Sequence, residues 1–238
     1  MCGIAGFIKK NINSSLCKEK ITKMISIIGH RGPDTTRVVI GKSFSFATAR
    51  LSIERLEEGY QPIIHKNKKC ILSFNGEIFN YKDLIQKYSF AKNKINSEAK
   101  LLAELFELKG VKFISEIKGQ FAISIYNVFE NKLYLFRDRF GIRPLFFKCY
   151  KDTFLYSSEI KSIVAFEEKA PETSLMGIAS TSLFWSNIGN YTSFEDIFQI
   201  PPGSYLIFSN DKFEIKQYWK NPICLINKNS KNEKKIFG

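Results

Sequence analysis

The stretch KLYLFRD at 132–138 is apolar on both faces, and a strand of that kind needs cover on both sides. A single sheet with one wet face cannot supply it. Just upstream, FAISIYN sets Phe121, Ile123 and Ile125 against Ala122, Ser124 and Tyr126, the period of two expected of a neighbouring strand. PLFFKCY and TFLYSS add more strand, EIKSIVAF reads as a short helix, and GSYLIF with KFEIKQYW forms a closing hairpin that turns near SND.

The first half supplies a matching set. Residues 3–9 are an apolar run with small glycines, read as a buried strand. SLCKEKITKMISIIGH places Cys17, Ile21, Met24, Ile25 and Ile28 at helical spacing, with Ser15 as the cap. RGPD ends that helix, because Pro33 disfavours helical geometry at Gly32. RVVI, SFSFAT, PII and CILSFN are short strands, and YKDLIQKY is a helix. In SEAKLLAELFELKG, Leu101, Leu105 and Leu108 share a helical face with Leu102 and Phe106 beside it. Two groups of strands separated by helices predict two sheets packed face to face with helices outside. The 238 residues, 44% apolar and 14% aromatic, suffice for one large domain with a sizeable core.

Composition removes several function classes. Nothing approaches the ~18 consecutive apolar residues of a membrane span, and MCGIAGFI lacks the basic start of a secretory signal. Five scattered cysteines (Cys2, Cys17, Cys70, Cys149, Cys224) without a CxxC pair argue against a disulfide framework or a metal site. A reducing, cytoplasmic setting is expected. The net charge of +13 comes from lysines spread along the chain rather than from a basic stripe with interleaved aromatics, so neither a nucleic-acid nor a membrane partner is expected. The dense run KNSKNEKKIFG reads as part of a lysine-rich tail or linker over 220–238.

Chemistry enters at the second residue. A methionine followed by a small residue is usually trimmed, which would leave Cys2 as the terminus. Thiol and free amine would then sit on one residue, a self-contained nucleophile and base. Three polar clusters stand where strands end: RGPD at 31–34, ARLSIE at 49–54 and NGEIFNY at 75–81. Each alone is an ordinary turn. Together with an N-terminal cysteine they form a pattern.

MCGIAGF, HRGPD, RLSI, QP, NGEIFNY, GQFAISIYN, RDRFGIRPLFF, SSEIKSI and PPGSYL occur in that order. The chain thereby resembles the class II glutamine amidotransferase domain of glutamine-hydrolysing asparagine synthases, from residue 2 to about 219. The resemblance implies an α+β fold, the αββα four-layer sandwich of N-terminal nucleophile hydrolases. It also implies hydrolysis of L-glutamine to glutamate, with ammonia passed to a synthetase domain or subunit. By resemblance, Asn75 gives its side-chain amide and Gly76 its backbone N–H to the oxyanion. Arg50 pairs with the glutamine α-carboxylate, as a fixed bidentate fork suits. Backbone groups of Leu51, Ser52, Ile53 and Glu54 line the same pocket, and Glu77 faces the α-ammonium. Arg31 and Asp34 support the pocket, while Asp138, Arg139 and Pro144 are structural or face a partner domain. The catalytic set is then Cys2, Asn75 and Gly76, with no metal. Because the base belongs to the nucleophile, neither histidine is needed: His30 is expected at a helix end and His65 in an exposed turn.

The departures carry information too. The family commonly has SDxE where this chain reads INSE, so Asn96 replaces an aspartate that binds the glutamine amine. Thr48 stands where a His often precedes the RLSI arginine, and Tyr60 where GHQP is usual. Neither an SGGxDS loop nor a GxxxxGK loop occurs, so no cofactor is expected in this chain, and ATP and Mg only in a synthetase partner. A catalytically weak docking or regulatory subunit is the alternative reading. A homo-oligomer, and the final ammonia acceptor, stay open.

Overall fold

The computed structural model describes residues 1–52, 60–67, 69–90 and 95–222. Ile53, Glu54 and Cys224, with nearly all of the lysine-rich tail, lie outside the described residues.

Two six-stranded antiparallel sheets form the centre. Numbered along the chain, the first holds β1 (Gly3–Lys9), β2 (Thr35–Ile40), β3 (Phe44–Arg50), β8 (Phe146–Tyr150), β9 (Thr153–Ser157) and β10 (Phe198–Gln199), laid side by side as β10-β8-β9-β1-β3-β2. The second holds β4 (Ile63–Ile64), β5 (Cys70–Ile78), β6 (Gly119–Asn127), β7 (Lys132–Arg137), β11 (Ser204–Ser209) and β12 (Lys212–Gln217), ordered β12-β11-β7-β6-β5-β4. Helices α1 (Ser14–Ser26) and α4 (Ile160–Glu167) cover the first sheet, and α2 (Tyr81–Lys87) and α3 (Glu98–Lys109) the second.

Three apolar layers result, one at each junction of the four. Phe7, Ala47 and Leu155 meet Ile21, Met24 and Ile163 of α1 and α4. Leu72, Ile123 and Phe136 meet Leu101, Leu105 and Phe106 of α3. Between the sheets lie Ile4, Phe46, Ala122, Leu133, Leu135 and Tyr156. This is the αββα sandwich, and it accounts for KLYLFRD: Leu133 and Leu135 enter the central layer, Tyr134 and Phe136 the helix-facing one.

The side chain that caps α1 is Asn13, whose Oδ1 accepts from Leu16 N at 2.7 Å, not Ser15. Leu108 is 59% exposed, because the α3 face that meets the sheet has turned away by the last turn. His65 is buried, with Nε2 3.4 Å from a Glu104 oxygen. A fifth helix, α5 (Leu175–Phe184), had no counterpart in the sequence reading. From Thr173 to Phe194 no residue carries a charge. Yet α5 buries only Gly177, where an added Cβ would lie 1.8 Å from the Thr192 carbonyl oxygen. Leu175, Met176, Leu183 and Trp185 stay exposed.

Candidate active site

The site is built at one end of the sandwich by the alternation of its strands. On β1, Ile4 and Ile8 point between the sheets, so Cys2, one step of the same phase earlier, falls on the inner side. On β3, Phe46 points inward while Ala47 and Ala49 point out, which puts Thr48 and Arg50 inward. On β5, Ile71 points inward and Leu72 and Phe74 out, which puts Ser73 and Asn75 inward. Gly3 pairs with Ala49 and Ile4 with Thr48, so Cys2 lies opposite Arg50. The Cys2 Sγ is 3.9 Å from the Leu51 carbonyl oxygen.

Glycines let the loops close in. An added Cβ on Gly32 would stand 2.2 Å from the Ala49 carbonyl oxygen and 2.5 Å from the Arg50 carbonyl carbon, so the RGPD turn lies directly on β3. There the Asp34 N–H donates to the Arg50 carbonyl at 3.1 Å, and Asp34 Oδ2 accepts from Ser52 N–H at 2.6 Å. Arg31 donates from Nε to the Cys2 carbonyl at 3.2 Å and from a terminal nitrogen to Glu159 at 3.0 Å. Burial pushes the Glu159 carboxyl up, but hydrogen bonds from Arg31, Lys161 and His30 outweigh it and hold the group below its ordinary value. The start of β1 is gripped from the same side: Ile4 N–H donates to Ser158 Oγ at 3.0 Å, and Ser158 N–H to the Ile4 carbonyl at 2.9 Å.

The free side of β5 carries the other half. Phe121 exchanges bonds with Asp138, its N–H donating to Asp138 Oδ2 and its carbonyl accepting from the Asp138 N–H. Its backbone therefore faces β7, and Gly76, paired with Phe121, turns its own N–H away from β6. Three N–H groups point off that edge two residues apart. Phe74 donates to Gln61 Oε1 at 2.6 Å and Ile78 to Glu98 Oε1 at 2.5 Å. Gly76 lies between them. Asn75 beside it is 1% exposed, and its Nδ2 has no hydrogen-bond partner among the described residues. A buried amide without a partner is uncommon and costs stability. The arrangement can offer two N–H donors to one developing negative charge. The close approach that the structure shows at Gly76 is to the adjacent strand, since a Cβ would stand 2.0 Å from the Gln120 carbonyl oxygen.

Glu77 is exposed on β5, and Asn96 is half-buried just ahead of Ser97, the N-cap of α3. His30 lies on a short 3-10 turn after α1 with Nε2 3.0 Å from Glu159. Asp138 is fully buried and also accepts from the Phe140, Ile142 and Arg143 N–H groups, shaping its turn. Cys70 is a poor nucleophile, its thiol pushed up to about 12 by burial and by Glu107 and Glu104. Among the described residues no group of three or more His, Cys, Asp or Glu could hold a metal ion, and no helix is long and apolar enough to cross a membrane. Ser158 and Glu159, which brace the start of β1, stand in the SSEIKSI motif, but no role was expected of them there. The signal was present, a carboxylate directly ahead of the α4 apolar run.

Residues 1–219 match the family described as glutamine amidotransferase domain. The asparagine synthetase [glutamine-hydrolyzing] 2 of Bacillus subtilis is 39% identical over 165 residues, covering 68% of this chain and 22% of that protein. The asparagine synthetase [glutamine-hydrolyzing] 3 of the same organism is 28% identical, covering 92% and 36%. Amidase chry2 of Gibberella zeae is 30% identical, covering 92% and 34%. The chain thus spans well under half the length of these relatives. Among solved structures, the glutamine phosphoribosylpyrophosphate amidotransferase of B. subtilis superposes with a TM-score of 0.65 at 16% identity, over 92% of this chain and 50% of that one. That likeness speaks for the fold.

Proposed function

Because the chain belongs to the glutamine amidotransferase domain family, class II and of the asparagine synthase type, we propose that it hydrolyses L-glutamine through a thioester on Cys2. The reading is carried by one observation: a buried Asn75 Nδ2 without a hydrogen-bond partner among the described residues, on the inner face of the sandwich end that also holds Cys2. With Met1 removed, the Cys2 α-amine takes the thiol proton, its unperturbed pKa being near neutrality. The sulfur attacks the glutamine side-chain carbonyl carbon, and the oxygen gains the charge. Asn75 Nδ2 and the Gly76 N–H donate to that oxygen. Collapse breaks the C–N bond, the α-ammonium returns its proton to the leaving nitrogen, and ammonia departs. Water then attacks the thioester, giving glutamate and the free thiol.

Arg50 binds the α-carboxylate of the substrate and Glu77 its α-ammonium, with backbone of Leu51 and Ser52 along the same wall. Arg31 and Asp34 hold the loops in place. Residues 2–219 act as the glutaminase domain and 220–238 as a tail or linker. Ammonia passes to a synthetase-type domain or subunit, where ATP and Mg would be used; the glutaminase step itself needs no cofactor.

The test is glutamate and ammonia release by purified protein whose first residue is Cys2 by mass spectrometry. Turnover in that protein and none in Cys2→Ala is expected. Full turnover in Cys2→Ala, or in protein that retains Met1, refutes the mechanism. No turnover with Cys2 free and terminal would favour a docking subunit instead.

A further inference from the structure

We infer that the Thr48–Ser73 hydroxyl bridge is a positioning element that sets the separation of Arg50 and Asn75; this rests on the glutaminase reading above. The Thr48 Oγ1 donates to Ser73 Oγ at 3.1 Å, and both side chains are essentially without exposure. The bond joins β3 of one sheet to β5 of the other, through a layer otherwise filled by Ile4, Phe46, Leu135 and Tyr156.

Its place relative to the site follows from register. One rung deeper, Phe46 of β3 stacks edge-on against Tyr126 with ring centroids 5.5 Å apart, and Tyr126 is the β6 neighbour of Ile71 on β5. The next rung is Thr48 against Ser73. Moving from 46 to 48 on β3 therefore corresponds to moving from 71 to 73 on β5, so the two strands run the same way. The rung after that is Arg50 on one sheet and Asn75 on the other. Arg50 would hold the substrate's α-carboxylate and Asn75 would stabilise charge at its other end. Their spacing has to match the length of one substrate, and the bridge ties the sheets one rung before them, beside a second hydroxyl bond from Tyr156 to Ser124, the β6 partner of Ser73.

Apolar groups of the same shape would pack the rung about as well, since replacing both partners of a buried hydrogen bond is nearly neutral for stability. What they would lose is a directional constraint: facing methyl groups permit a small slide that a hydrogen bond does not. Geometry at such sites matters on the scale of an ångström or less.

The experiment compares wild type, Thr48→Ser and the double variant Thr48→Val/Ser73→Ala, each with Cys2 terminal, in glutamine saturation curves and thermal melts. The double variant is expected to melt within a few degrees of wild type with kcat lowered about tenfold or more. Thr48→Ser, which keeps the hydroxyl, should stay within about twofold. In an Asn75→Ala background the double variant should add less than about twofold, because the donor it positions is gone. Wild-type kcat and KM in the double variant overturn the inference, as does a full-sized further loss in the Asn75→Ala background. Loss of the fold in the double variant also overturns it, since the bridge would then be a stability element. A wild type without turnover overturns the functional reading and this inference with it; active wild type with unaffected variants overturns the inference alone.

Discussion

Glu159 holds Arg31 at 3.0 Å, and the two lie 128 residues apart in sequence. Arg31 in turn donates to the carbonyl of Cys2, so an acid at the head of α4 braces the residue that carries the thiol. Three cationic or donating neighbours keep that acid ionised against the burial that would protonate it.

A pH signature follows from Glu159. Its folded value is depressed, so its stabilisation is complete above the ordinary carboxylate range and is lost as pH falls through the depressed value. Hydrogen bonds to charged groups are worth about 1.5–3 kcal/mol; with the side chain 23% exposed, roughly 1–2 kcal/mol is expected. Glu159→Gln should lower Tm by about 2–8 °C at pH 7, and by progressively less as pH falls below the ordinary carboxylate range. Melting curves of both proteins across that range check it. A gap that widens in acid would be the wrong sign.

Asn75→Ala should separate activity from stability. Its buried Nδ2 has no hydrogen-bond partner among the described residues, so its removal costs the resting fold little and Tm should hold or rise. Loss of an oxyanion donor costs about 10²–10³ in kcat, with KM changing far less. A raised KM at preserved kcat would move Asn75 to ground-state binding.

Gly32 and Gly29 offer a matched pair. Gly32→Ala drives a Cβ into the β3 backbone, whereas nothing lies within 4 Å of the corresponding position at Gly29. The first substitution should cost several degrees of Tm and displace Asp34. The second should be neutral or slightly stabilising, by up to about 1 kcal/mol. Equal effects in thermal melts would contradict the contact.

Asn96→Asp should tighten glutamine binding. An α-ammonium leaving water needs an anionic partner, and a carboxylate at 96 supplies a second beside Glu77. A gain of about 1.5–3 kcal/mol corresponds to a KM lower by roughly ten- to a hundredfold, with kcat nearly unchanged. Saturation curves at neutral pH decide it, and an unchanged or higher KM places Asn96 outside the pocket.

The two tryptophans should respond differently to a dissolved quencher. Trp185 is 94% exposed, while Trp219 packs on Phe140 with ring centroids 5.2 Å apart. Acrylamide should quench two populations of emission, and Trp185→Phe should remove the accessible one. A single, uniformly protected population would mean that something covers α5.

Much of the fold could be read from period and composition, because a strand such as Leu133–Arg137 states in its own residues that both faces are covered. α5 could not. Its charge-free sequence has no polar face to set against an apolar one, so no period marks it as a helix. The buried His65 was read as exposed because its surroundings are polar in sequence, and only the return of α3 beside it places Glu104 there. Of the site, the residues that would meet substrate stand in short local motifs and were legible. The bracing was not: Arg31 to Glu159 and Thr48 to Ser73 are contacts between distant strands and loops, set by register rather than by neighbours in the chain.

β1 lies between β3 and β9, inside its sheet rather than at a margin, and Cys2 directly precedes it. Residues added ahead of Cys2 would have no margin to run along and would have to leave through the mouth of the sandwich, over the ground a substrate would occupy. At the other end, β12 is a border strand and Asn221 beyond it is exposed. On the glutaminase reading, an addition ahead of Cys2 would crowd the substrate, whereas an addition behind β12 would grow from a border strand away from it.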